Sequence, residues 1–255
     1  MVIKGQRLVL YGGLAVIILL AWAYLFYLGT SMRMTNMGID ISMPSMQAWG
    51  VTDTALNFVM WVVMMVAMMT PSAVPVILLY RTISQKQHQG SDRLTSTWLF
   101  LTGYLVTWAG FSVAATLAQW GLHRAALLTP MIASVSPLLG GALLISAGVY
   151  QLTPLKNACL AHCRTPMGFM LAEWRNGKLG SLVMGMHHGV YCVGCCWLLM
   201  ALLFVGGVMN LVWVALMGAY ILFEKIAPAR LWLSRISGVA VIAWGLWLVV
   251  GTVVK

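Results

Sequence analysis

Long uncharged apolar runs alternate along the chain with short segments that carry most of its basic residues. About 20 apolar residues in helical form match the hydrocarbon thickness of a bilayer. Seven runs are legible, at about 8–28, 54–80, 95–120, 137–153, 181–204, 207–223 and 236–254. The second is long and interrupted by Pro71 and Pro75, and Gly206-Gly207 allow a tight turn between the fifth and sixth. The first run is too long for the apolar part of a secretory signal, and no small-x-small cleavage site follows it. It reads as a retained helix. The pattern predicts an all-α, polytopic transmembrane bundle of about seven helices.

Composition agrees with lipid as the solvent. Of 255 residues, 61% are hydrophobic and 8% are charged, whereas a soluble domain carries about 25% charged residues. The net charge is +10, and its placement gives an orientation. With the N-terminus in the cytoplasm and seven crossings, Lys4, Arg7, Arg81, Lys86, Arg93, Lys156, Arg164, Arg175, Lys178, Lys225, Arg230 and Arg235 fall inside. Only Arg33, Arg124 and Lys255 fall outside. That is a strong positive-inside bias. The basic balance therefore reports topology and contact with anionic lipid, and a nucleic-acid partner is not expected. No linker or shift in composition divides the chain, which reads as one transmembrane domain over residues 1–255.

Two segments bring soft ligands together. Cys159, His162 and Cys163 follow the fourth run, and His187, His188, Cys192, Cys195 and Cys196 lie in the fifth. Thiolates and imidazoles are ligands of copper(I), zinc and iron–sulfur centres. Residues three and four apart share a helix face, so Met184, His188, Cys192, Cys195 and Cys196 form one stripe. Cys159, His162 and Cys163 form another if their stretch is helical, as an extension of the fourth run past Pro154. The short inner connection between the fourth and fifth runs brings the two sets together near the cytoplasmic side. A lone cysteine in an apolar helix is ordinary core. An imidazole inside a bilayer by default marks a site.

Methionine is the second signal, with 19 copies. Met32, Met34, Met37, Met43 and Met46 crowd the outer loop 29–53, and Met60, Met64 and Met68 step by four along the second run, with Met65 and Met69 beside them. Thioethers bind copper(I), although Met also fills gaps in apolar packing. With idealised helices, Met60 falls level with Cys195 and Cys196, Met64 with Cys192, and Met68 with His188. A ladder of ligands from the outer loop to the inner Cys/His cluster is the resulting expectation. Glu224-Lys225 closes the sixth run and reads as a snorkelling interface anchor, with Glu224 as an alternative ligand or ion-pair partner. Asp40 and Asp53 read as loop carboxylates, His88 and His123 as solvated side chains, and the 12 Trp as interfacial belts. The chain carries no phosphate loop, nucleophile elbow or nucleotide fingerprint.

A set of motifs goes further. Tyr150-Gln151-Leu152-Thr153-Pro154-Leu155-Lys156, Cys159-x3-Cys163-Arg164-x-Pro166, His188-Gly189, Cys192-x-Gly194-Cys195-Cys196-Trp197, Met209-Asn210 and Glu224-Lys225 stand in order, with Ala67-Met68-Met69-x-Pro71 before them. Over about residues 55–230 the chain resembles a bacterial family of uncharacterised predicted metal-binding integral membrane proteins. The resemblance implies a bacterial inner-membrane location and a bound metal, and supplies no activity.

The functional expectation is a copper(I)-binding membrane protein that takes up, transfers or delivers the ion. A copper chaperone or membrane cuproenzyme would be its partner. The expected ligands are Cys159, His162, Cys163, His187, His188, Cys192, Cys195, Cys196, Met64 and Met68. Few carboxylates accompany these soft groups, which favours copper(I) over magnesium, calcium or manganese, with zinc as an alternative through Cys/His ligation. Two rivals remain open. One is a quinone-linked thiol oxidoreductase using the Cys192-x2-Cys195 pair. The other is a haem or electron-transfer subunit with His162, His187 or His188 as axial ligands.

Overall fold

The apolar runs fold as helices throughout a computed structural model, which describes residues 2–37, 50–87, 92–125, 127, 136–226 and 230–253. The side chains of Met32, Met34 and Met37, and the whole of Asp40, Met43, Met46 and His88, lie outside the described part. The helices are α1 (Val2–Met37), α2 (Val51–Gln87), α3 (Asp92–Arg124), α4 (Pro137–Leu152) and α5 (Pro154–Arg164). There follow α6 (Pro166–Ala172), α7 (Gly177–Ala201), α8 (Leu203–Gly206), α9 (Leu211–Ile226) and α10 (Arg230–Val253). No strand occurs among the described residues, so the fold is all-α.

Helices α1, α2, α3, α7 and α10 contain segments long and apolar enough to cross a membrane. Helices α4 and α5 make a sixth if counted as one broken span, bent by 66°. The sixth apolar run falls short because part of it is spent on a turn. Gly207 takes a φ of 90°, which favours glycine, the Asn210 N–H donates to the Gly207 carbonyl (3.0 Å), and α9 is left with 16 residues.

Proline explains the break before α5. Pro154 pushes Thr153 out of the helical region, to φ −74° and ψ 148°. The Thr153 hydroxyl then accepts from the Lys156 N–H (3.3 Å) and caps the new helix. The segment 154–180 between the fourth and fifth apolar runs is therefore mostly helical, folded as α5, α6 and the start of α7. Helix α2, by contrast, runs unbroken through Pro71 and Pro75.

Close packing of α3 on α7 sets the geometry of the site. A Cβ on Gly185 would collide with the Phe100 carbonyl, and one on Gly103 with the Leu182 carbonyl. Small residues at such crossings let helix backbones approach in lipid. The Thr107 hydroxyl donates across the same seam to the Met186 carbonyl (3.2 Å). Elsewhere α10 packs on α4, α5 on α7, and α2 on α1, α3 and α9.

Candidate metal centre

The stripe on α7 faces inward: Met184, His188, Cys192, Cys195 and Cys196 are all buried. From α5, the buried Cys163 thiol approaches those of Cys192 and Cys195, and the Cys196 thiol lies close to the same two. Four thiols from two helices therefore converge. Cys159 lies one turn along α5, packed against α7 where residue 194 is glycine. A Cβ there would stand 2.9 Å from the Cys159 sulfur, so the close approach requires the missing side chain. All five cysteines are free thiols.

Cys192 is the hub. Its sulfur lies 3.2 Å from the Tyr104 hydroxyl and accepts from the Lys225 ammonium at 3.0 Å, while its carbonyl accepts from the thiols of Cys195 (3.1 Å) and Cys196 (3.0 Å). Those two thiols thus turn back on their own helix. Among the described residues, no group of three or more His, Cys, Asp and Glu side chains is arranged to hold a metal ion as it stands.

His188 sits one turn from Cys192, 2% exposed. Its ring is surrounded by Phe169, Tyr104 and Phe100, at centroid distances of 5.3, 5.7 and 6.1 Å. Its Nδ1 has no hydrogen-bond partner among the described residues. A buried polar atom without a partner is costly, and an orphaned imidazole nitrogen beside soft thiols fits a site that a soft cation completes.

The other two expected histidines lie elsewhere. His187 pairs through Nδ1 with the Glu173 carboxylate (3.0 Å) on the outer side of α7. The His162 Nδ1 contacts the Ala158 carbonyl of its own helix (2.9 Å), and the ring stacks on Tyr191 at 4.1 Å.

The expected ladder has a different register. Met60, Met64 and Met68 are buried, but α2 packs on α3 and α9, and Met68 lies against Gly218 of α9. Toward its C-terminal end α2 meets α7 directly, where the Tyr80 hydroxyl donates to Ser181 (2.7 Å); beside Cys192 the link is made by side chains of the intervening helices. Lys225 of α9 also donates to Ser72 (2.9 Å), and Tyr104 of α3 also donates to the Met69 carbonyl (3.1 Å). Opposite Cys192 therefore stand Met69 and Ser72, where Met64 was expected. The depth estimate took the ends of the apolar runs as helix ends, yet α2 continues to Gln87 and α7 begins at Gly177. Ser72 and Cys192 each lie fifteen residues from those two ends.

Glu224-Lys225 is turned inward, contrary to the expected snorkelling. The Glu224 carboxylate pairs with Lys156 of α5 at 2.6 Å, with both side chains buried. The same oxygen accepts from Ser234 (2.6 Å) and Tyr220 (3.4 Å), while Arg164 donates to the Glu224 carbonyl. Adjacent residues of α9 thus hold α5 on one side and Cys192 on the other. The sequence offered Glu224 as an ion-pair partner; the inward turn of Lys225 and the place of Tyr104 were missed. The available signal was weak: a tyrosine within an apolar run, and a lysine at the end of one.

Comparison with known proteins decides the family. Residues 58–248 match the model of the PpoB2 family, described as copper chaperone. The chain belongs to the PpoB2 copper chaperone family. Its function is accordingly copper-related, and the matched segment contains all four converging thiols and His188. Searches of curated proteins and of solved structures returned no match.

Proposed function

We propose that this PpoB2 family member is an inner-membrane copper(I) chaperone, which holds the ion transiently at Cys192 and passes it to a copper enzyme. The observation that carries the reading is the convergence of Cys163, Cys195 and Cys196 on Cys192, beside the orphaned Nδ1 of His188. Copper(I) is stable with two or three soft ligands, so Cys192 with one neighbouring thiol and His188 suffices. Loading requires the Cys195 and Cys196 thiols to leave the Cys192 carbonyl, a side-chain rotation. A closed four-thiolate cage would retain the ion; a partly assembled set lets it both enter and leave.

The same reading makes 1–255 one transmembrane domain with its N-terminus in the cytoplasm. It counts α4–α5 and α9 as crossings, seven in all, and puts the thiol cluster toward the cytoplasmic side. Cys159 on α5 lies against Gly194 of α7, next to Cys195, and serves as a relay ligand toward a partner. His162 and His187 fall outside the inner set.

One observation favours a second reading. A cysteine against a lysine ammonium is the environment of an activated thiolate, which suits a thiol oxidoreductase. Haem is disfavoured by the three aromatic rings that fill the space around His188. Protein purified in detergent under reducing conditions separates these. Elemental analysis should find copper bound, without a Soret band and without extractable quinone. A quinone with no copper would establish the redox reading instead.

A further inference from the structure

We infer that Lys225 is a specificity-determining residue, whose ammonium against Cys192 biases the thiol cluster toward copper(I) and against divalent cations. The inference rests on the copper(I) reading of the same cluster.

Lysine at the end of a membrane helix ordinarily extends its ammonium to water. Here the side chain is only 8% exposed, and Nζ is fixed between Cys192 Sγ and Ser72 Oγ. Neither acceptor is a carboxylate. The adjacent Glu224 carboxylate is committed to Lys156, Ser234 and Tyr220, and Glu173 to His187. Sulfur is therefore the partner of this ammonium.

Any cation that binds Cys192 must sit beside that fixed charge. The repulsion is proportional to the charge of the incoming ion, so a dication meets twice the penalty of copper(I), undiminished by bulk water. Coordination number acts in the same direction. Copper(I) needs two soft donors and leaves the ammonium in place. Zinc ordinarily takes four, and would have to claim the space that Nζ occupies. Selectivity by a repulsive element is a common device where attractive contacts are shared between competitors.

The test measures copper(I) and zinc affinities of the full-length protein in detergent, by competition with chelators of known affinity, for wild type, K225Q and K225R. Gln keeps N–H donors for Cys192 and Ser72 and removes the charge; Arg keeps the charge. K225Q should raise the zinc-to-copper(I) affinity ratio about tenfold or more, since the interaction of adjacent charges in a low-dielectric site is at least of that order. K225R should keep the wild-type ratio. K225M is a second charge-free variant for the same readout if K225Q does not survive extraction. An unchanged ratio in the charge-free variant overturns the inference, as does an equal shift in K225R, which would reveal a merely structural lysine. Failure of the underlying reading looks different: wild-type copper(I) binding would then persist unchanged in C192S.

Discussion

The thiol of Cys163 on α5 approaches that of Cys192 on α7, with one short helix, α6, between the two elements along the chain and a 66° bend at Thr153–Pro154 turning α5 away from the line of α4. What holds α5 there is the buried Lys156–Glu224 pair, reinforced by Arg164 on the Glu224 carbonyl.

That arrangement predicts the behaviour of Lys156 variants. Removing one partner of a buried pair leaves an uncompensated charge and costs about 3–5 kcal/mol. K156M should lower the thermal midpoint in detergent strongly and weaken metal binding by loosening Cys163. The K156M/E224L double variant, with no charge stranded, should recover much of the stability. A K156M protein as stable as wild type would show that α5 is held by other contacts.

The α3–α7 seam gives a second prediction. Gly185→Ala places a methyl group against the Phe100 carbonyl, so the helices must separate, and Phe100 and Tyr104 must leave His188. Stability and metal affinity should fall together. Gly121→Ala, where nothing lies within 4 Å, should be neutral or stabilising by up to about 1 kcal/mol. Equal effects at the two positions would contradict the seam.

How far the site was legible follows from the same residues. The stripe on α7 needed only the periodicity of a helix, because His188, Cys192, Cys195 and Cys196 sit three and four apart. The nearness of Cys163 followed from a short connection. The inward turn of Lys225 did not, because a lysine ending an apolar run is compatible with snorkelling or with burial, and only the positions of Ser72 and Cys192 on other helices decide between them. Register between α2 and α7 was equally out of reach, since apolar runs do not mark where helices end.

Corrected register changes the expectation for the methionines. Met68 packs on Gly218 of α9, so M64L and M68L, which keep volume and apolarity, should cost less than about 1.5 kcal/mol and leave copper content intact. Copper uptake that fell in M68L cells at unchanged protein abundance would restore a thioether path along α2.

Orientation is tested by access to thiols. With the N-terminus inside, a membrane-impermeant maleimide applied from the periplasm should fail to label Cys159 and Cys163 in intact cells, and should label Cys159 after permeabilisation. Cys159 is the more exposed of the two. Rapid labelling from the periplasm would reverse the topology.

The account stands most directly on the copper content of the C192S/C196S double variant, measured by elemental analysis beside wild type on monodisperse, reduced protein. The variant should fold and extract normally, since each change replaces sulfur by oxygen within a thiol cluster, and should lose most of the bound copper. Copper retained at the wild-type ratio would contradict the assignment of the Cys192 cluster as the copper(I) site.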